Sequence, residues 1–178
     1  MAFILLNESI PGIRSLLVAY PETGRILSAL SQQLLRGDSS LSPAEREIIA
    51  ARVSRENECK FCTYSHAETA RELLPETDRS VIDEIVHHKN ESVLSDKMQA
   101  LLNLALAVQK GGQFVEQSYI DDARTSGADD KAIHDTVLIA AAFSMFNRYV
   151  DGLKTSTPDD PDVYKKIGQR LSLEGYIG

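Results

Sequence analysis

The chain of 178 residues contains two cysteines, Cys59 and Cys62, and a histidine follows at His66. A helix turns about 100° per residue, so Cys62 would lie about 60° and His66 about 20° around the axis from Cys59. All three side chains would therefore share one face of one helix, with the sulfurs close enough to form a disulfide after modest adjustment. Such a dithiol could attack a peroxide or a disulfide and then close on itself.

A position at the start of a helix favours reactive thiols. Unpaired N–H groups and the positive end of the helix dipole stabilise a thiolate there, which makes Cys59 the more acidic thiol on this argument. His66, one turn after Cys62, could accept the thiol proton or stabilise the thiolate as an imidazolium. Glu47, on the preceding helix, could complete a proton relay if the two helices pack as an antiparallel hairpin. Three other carboxylates compete for that role: Glu45, Glu56 and Glu58.

Two other interpretations of the cysteine pair stay open. The pair could be structural or incidental, or it could bind a metal through Cys59, Cys62 and His66. The fourth ligand would then come from His87, His88 or a carboxylate. Structural zinc sites usually contain two cysteine pairs, whereas this chain has one, so redox chemistry is preferred over a metal site.

Composition and charge argue against several classes of function. The chain carries 19 basic and 26 acidic residues, a net charge of −7, which argues against a nucleic-acid-binding surface. Hydrophobic residues make up 43% and charged residues 25%, which is typical of a soluble globular protein. The amino end lacks the basic residues of a secretory signal, and the apolar stretch 137–146 is too short to span a bilayer. We therefore predict a cytoplasmic protein without a membrane segment.

The elements that must position these residues are predicted to be helices throughout, an all-α fold without a sheet. Ser42, Pro43 and Glu45 form a capping-box pattern, which is the better explanation of Glu45 and starts a helix over 43–56. The cysteines fall in the next helix, 59–74. Further helices are predicted over 12–20, 23–36, 78–88, 95–110, 116–126 and 130–151, with a short one in the tail from 159 onward.

The stretch from about 43 to 152 resembles the alkylhydroperoxidase D (AhpD)-like, peroxidase-related branch of the carboxymuconolactone decarboxylase superfamily. The resemblance rests on Glu47, the sequence Cys59-Lys60-Phe61-Cys62 and His66 at that family's relative spacing. The later helical sequence from Phe146 to Leu153 supports it.

The resemblance implies a division of the chain into three parts. An AhpD-like helical bundle would occupy residues 41–153. An N-terminal helical extension would precede it over 1–40, and a C-terminal helical tail would follow over 154–178.

The resemblance also implies hydroperoxide reduction through a Cys59–Cys62 dithiol–disulfide cycle, without haem, flavin or metal. Cys62 would be the peroxidatic thiol and Cys59 the resolving thiol, in tension with the helix-position argument, while His66 and Glu47 would relay protons. The implied partners are a small hydroperoxide, an external dithiol protein that reopens the disulfide, and further copies of the chain in a trimer or hexamer. Phe61 replaces a second histidine of the best-studied family pattern, so slower or different peroxide chemistry is expected.

Two alternative functions are compatible with the same fold. One is a decarboxylase-like or isomerase-like enzyme acting on a carboxylated small molecule, although that chemistry does not need a dithiol. The other is a non-catalytic redox sensor, in which the disulfide controls oligomerisation.

Overall fold

The structure is a computed structural model that describes residues 1–88 and 90–177, without the side chain of His88. Over this part of the chain it is helical and contains no β-strand, so the predicted all-α class is confirmed. The α-helices are α1 Ile13–Ala19, α2 Pro21–Arg36, α3 Pro43–Glu56, α4 Lys60–Leu73, α5 Val81–Asp83, α6 Asp96–Lys110, α7 Gln117–Thr125, α8 Asp130–Gly152 and α9 Pro161–Glu174. In these two ranges, no helix is both long and apolar enough to cross a membrane.

Helices α3 and α4 form an antiparallel hairpin that carries the predicted site residues. The capping box at its start is present: Ser42 Oγ accepts a hydrogen bond from the Glu45 amide, and Glu45 Oε2 accepts one from the Ser42 amide at 2.8 Å. Both orphan donors of the helix start are thereby satisfied. Glu58, in the left-handed region at φ 60°, turns the chain back between the two helices.

The core lies where α3, α6 and α8 pack together, behind α4. Its fully buried members include Ile49, Leu101, Leu102, Ile139 and Phe143. Leu34 and Leu35 of α2 join the same cluster, so the helix that precedes the hairpin is packed onto it.

Helix α9 lies directly against α4, because a glycine lets the two backbones approach. A Cβ atom on Gly168 would stand 2.7 Å from the backbone carbonyl carbon of Glu68. Only a residue without a side chain fits there, and this contact brings the end of the chain to the face of α4 that bears the cysteines and the histidine.

The predicted helix over 78–88 is not continuous, and the prediction of one element there is wrong. The segment forms a 3₁₀ turn at Glu76–Asp78, the short α5 and a π-helical turn at Glu84–His88. The predicted apolar stripe is nevertheless buried: Ile82, Ile85 and Val86. The carbonyl of Val86, in the last turn before this segment ends, accepts a hydrogen bond from Arg55.

Candidate active site

The two cysteines occupy different positions at the start of α4. Cys59 is the N-cap residue with extended backbone, and Cys62 lies in the first turn. Both thiols are free and both are buried, with Cys59 fully inaccessible and Cys62 3% exposed. The side chain of Lys60 points away from them and pairs with Asp159 at 2.6 Å.

The surroundings of Cys59 disfavour its thiolate. The pKa of Cys59 is raised, first by its side-chain hydrogen bond with Cys62, then by burial and by charge on Cys62. The direction is opposite to the one that the helix-position argument predicts. Asp151 lies beside Cys59, and burial raises the pKa of this carboxyl although its hydrogen bond with Cys59 opposes the rise. A thiol at this position therefore keeps its proton next to a second sulfur.

A cavity of about 780 Å³ opens in front of Cys62. Ser65 and His66 share its wall with Cys62, as expected for residues three and four positions apart on one helix face. Phe61 also lines it and packs on Tyr164 with the ring centroids 6.1 Å apart. Cys59 does not line the cavity, so a small molecule in it would meet Cys62 first.

Glu47 and His66 lie together, in the arrangement that the hairpin allows. His66 Nδ1 is 2.6 Å from Glu47 Oε2, and Glu47 is fully buried. A carboxylate on Nδ1 places the proton of a neutral imidazole there, which leaves Nε2 as the proton-accepting nitrogen.

Burial alone would raise the pKa of Glu47. The charge and hydrogen bond of His66, the charge of Arg36 and the hydrogen bond from Tyr176 outweigh it, so the pKa is lowered and Glu47 is an anion.

Two residues of this cluster lie outside the region that the sequence motif covers. Arg36 Nη2, at the end of α2, is 2.7 Å from Glu47 Oε1. Tyr176, in the segment after α9, donates its hydroxyl to the same oxygen at 2.6 Å and stacks on His66 with an interplanar angle of 11°. Burial and the charge of Glu47 raise the pKa of Tyr176 well above its usual value, so this hydroxyl is a donor.

No sequence signal pointed to Arg36 or Tyr176. An arginine in the last turn of a helix is typical of any helix C-terminus, where it complements the dipole. Tyr176 is 129 positions from the carboxylate that it contacts. Only the fold brings these residues to the centre of the molecule.

The competing residues have other partners. Glu45 serves the capping box, Glu56 pairs with Arg52 at 2.9 Å, and Glu58 lies in the turn between α3 and α4. The described residues contain no group of three or more His, Cys, Asp or Glu side chains that could hold a metal ion. His88, named as an alternative ligand, has a side chain outside the described residues.

One protein-family model matches the part of the chain that carries the predicted site residues. The model of the carboxymuconolactone decarboxylase family matches residues 21–74, the stretch that contains Glu47, both cysteines and His66. No curated protein matches the chain.

Three solved structures share the fold. An uncharacterized peroxidase-related protein from Silicibacter sp. TM1040 is 25% identical, with a TM-score of 0.75 over 85% of this chain and 78% of the other. A second uncharacterized peroxidase-related protein, from Ralstonia eutropha JMP134 and described as an alkylhydroperoxidase AhpD core, is 24% identical, with a TM-score of 0.78 over 90% and 82%. A protein of unknown function from Agrobacterium tumefaciens, suggested to be the antioxidant-defence protein AhpD, is 22% identical, with a TM-score of 0.69 over 82% and 97%.

Proposed function

We propose that this chain is a member of the AhpD-like, peroxidase-related branch of the carboxymuconolactone decarboxylase superfamily and a thiol-dependent hydroperoxide reductase. The observation that carries the proposal is the wall shared by Cys62 and His66 in one cavity, with the buried Glu47 2.6 Å behind the imidazole. A nucleophile, a proton carrier and a group that orients the carrier are thereby aligned.

In the first step, the Cys62 thiolate attacks the terminal oxygen of the hydroperoxide. The O–O bond breaks, Cys62 becomes a sulfenic acid, and the departing alkoxide takes the proton that His66 received from the thiol. Glu47 stabilises the imidazolium between these two transfers. The products of this step are an alcohol and an oxidised cysteine.

In the second step, the Cys59 sulfur attacks the sulfenic sulfur of Cys62. The S–O bond breaks and an S–S bond forms, and the leaving hydroxide departs as water with the proton of Cys59. The raised pKa of Cys59 suits this order of events, because the thiol still carries its proton when the sulfenic acid is formed. The pair has then supplied two electrons to the peroxide.

The cycle requires an external dithiol protein, which returns two electrons and two protons and reopens the disulfide. We further propose a cytoplasmic homo-oligomer, trimer or hexamer. The exposed apolar side chains of the chain ends are consistent with subunit contacts: Val18, Ile26, Leu173 and Ile177.

The proposal is tested by counting free thiols in the reduced protein, before and after one equivalent of cumene hydroperoxide, with mass spectrometry of the product. We expect rapid loss of both thiols and a mass decrease of about two hydrogens, since an intramolecular disulfide forms. Survival of both thiols would overturn the peroxidase cycle and leave the dithiol to be tested against protein disulfides. A change of oligomeric state on oxidation without turnover would favour the redox-sensor alternative.

A further inference from the structure

The cavity in front of Cys62 has a charge pattern unlike that of the rest of the chain. Four cationic side chains line it and no acidic one does: Arg14 of α1, Arg25 of α2, and Lys166 and Arg170 of α9. The whole chain has 26 acidic residues against 19 basic ones. We propose that the substrate is an amphipathic hydroperoxide, with an apolar chain and a carboxylate, of the fatty-acid hydroperoxide type. This inference rests on the proposed function and names its substrate class.

The walls between the cations suit an apolar chain. They come from α1, α2, α8 and α9 and include Ile13, Leu17, Leu27, Phe143, Ile167 and Leu171. The cavity volume of about 780 Å³ lies within the range of about 300–1,000 Å³ that is common for sites of small organic ligands. A hydrogen peroxide molecule would leave most of these walls uncovered, whereas a hydrocarbon chain would bury them.

Two of the cations converge without an anion between them. Arg14 stands near enough to Arg170 that its charge adds to the effect of burial in lowering the pKa of Arg170. The nearest carboxylate to Arg170 is that of Glu174, 3.9 Å away and outside the cavity lining. Arg14 makes no ion pair within residues 1–88 and 90–177. A ligand carboxylate at this pair would relieve the repulsion and accept charge-assisted hydrogen bonds.

A buried hydroxyl on the cavity wall lacks a partner. Ser65 lines the cavity together with Cys62 and His66, is 3% exposed, and its Oγ makes no hydrogen bond. An unsatisfied buried hydroxyl is costly unless a ligand completes it. A peroxide group held beside Cys62 supplies the missing acceptor, so Ser65 would bind one oxygen of the substrate while sulfur attacks the other.

The buried hydroxyl and the two arginines therefore assign an orientation to the substrate. The hydroperoxide group lies at Cys62 and Ser65, and the carboxylate lies at Arg14 and Arg170. Substrates with only one of these groups would lose one of the two anchors.

The test compares an unsaturated fatty-acid hydroperoxide with its methyl ester in the full-length protein. We expect kcat/KM for the acid to exceed that for the ester about tenfold, because the ester cannot form charge-assisted hydrogen bonds. The double variant Arg14→Gln/Arg170→Gln should lose this preference, so that kcat/KM for the acid falls to that for the ester. Added salt should weaken the preference for the acid in the wild type, since the arginines are partly exposed.

The matched control is Lys165→Gln, on the same helix but outside the cavity lining, where Lys165 pairs with Asp162 at 2.8 Å. This variant should keep the full preference for the acid. Turnover of cumene hydroperoxide with equal rates for acid and ester would overturn the inference and leave the proposed function in place. A preference that survives the double arginine variant would overturn it as well.

A binding measurement separates this inference from the proposed function. Isothermal titration calorimetry of the reduced wild type with decanoate and with decanol, neither of which is a peroxide, requires no turnover. If no hydroperoxide is turned over, preferential decanoate binding that the double arginine variant loses would still support the carboxylate site while rejecting the peroxidase. Equal binding of decanoate and decanol would overturn the inference.

Discussion

Cys59 and Cys62 are three positions apart in one helix turn, yet the fold gives them different environments. Cys59 is sealed at the N-cap of α4 beside Asp151, and its hydrogen bond with Cys62 and its burial raise its pKa. Cys62 faces a cavity with His66, whose imidazole is held by Glu47. Helix position alone would lower the pKa of Cys59, because the dipole argument ignores desolvation and the neighbouring sulfur. At Cys59, burial and the neighbouring side chains therefore outweigh the effect of the helix dipole on the pKa of the thiol.

The largest expected effect is on the cysteines themselves. Cys62→Ser should abolish peroxide consumption, because the nucleophile is removed. Cys59→Ser should also abolish turnover but still consume about one equivalent of peroxide, leaving a sulfenic acid on Cys62 that dimedone labels and mass spectrometry detects. Retained turnover in both single variants would rule out the mechanism, and labelling of Cys59 in the Cys62→Ser variant would reverse the assignment of the two roles.

A smaller effect, about 100-fold on the rate of Cys62 oxidation, is expected for Glu47→Gln, since a neutral amide no longer stabilises the His66 imidazolium. The pKa of the reactive thiol, read from the pH–rate profile, should rise. Tyr176→Phe keeps the carboxylate and removes one hydrogen bond to it, so a change of a few-fold in the same direction is expected. An unaltered pH–rate profile in the Glu47→Gln variant would remove Glu47 from the site.

The carboxylate of Glu47 should also affect how the stability of the protein depends on pH. The pKa of Glu47 is lowered in the folded protein, so its contribution to the free energy of unfolding is present above its ordinary pKa of 4.5 and is lost as the pH falls through the lower folded value. Thermal melts should therefore show wild-type stability falling at acidic pH more steeply than that of Glu47→Gln. Parallel curves for the two proteins would contradict the shift.

The smallest effect is expected at Asp151, which lies beside Cys59. Asp151→Asn removes the carboxylate that can accept the proton of Cys59 as its sulfur attacks, and it does not change the surroundings of Cys62. Sulfenic acid should therefore form at the wild-type rate and convert to the disulfide several-fold more slowly. Stopped-flow measurement of the two phases checks this. Asp159→Asn, whose exposed carboxylate pairs with Lys60, is a matched control and should leave both phases unchanged. Slowing of the first phase by Asp151→Asn would show that the two environments are not separate.

Local sequence rules predicted the elements well where capping and periodicity agree. The helix over 43–56 has those bounds in the structure, and the capping box at Ser42 is formed. The rules failed over 78–88, which lacks a side-chain cap and divides into short turns whose apolar residues are nevertheless buried. Burial of an apolar stripe therefore did not require one regular helix.

Much of the candidate site could also be predicted from local spacing in the sequence. The placement of Cys62 and His66 on one face of α4 follows from helix geometry, whereas Cys59, at the N-cap, does not share their cavity wall. The hairpin allowed Glu47 to reach the histidine. Their catalytic roles stay predictions. The raised pKa of Cys59 was not predictable, because it depends on a hydrogen bond with Cys62 and on burial, which local spacing does not show.

The sequence by itself determined the helical class and the placement of Cys62 and His66 on one helix face, since these follow from local spacing and capping. Only the tertiary structure decided which thiol meets the cavity and which residues complete the site. Arg36 and Tyr176 come from towards the two ends of the chain, and no local rule relates them to α4. They arrive because α2 packs on the core and because Gly168 lets α9 lie against the backbone of α4.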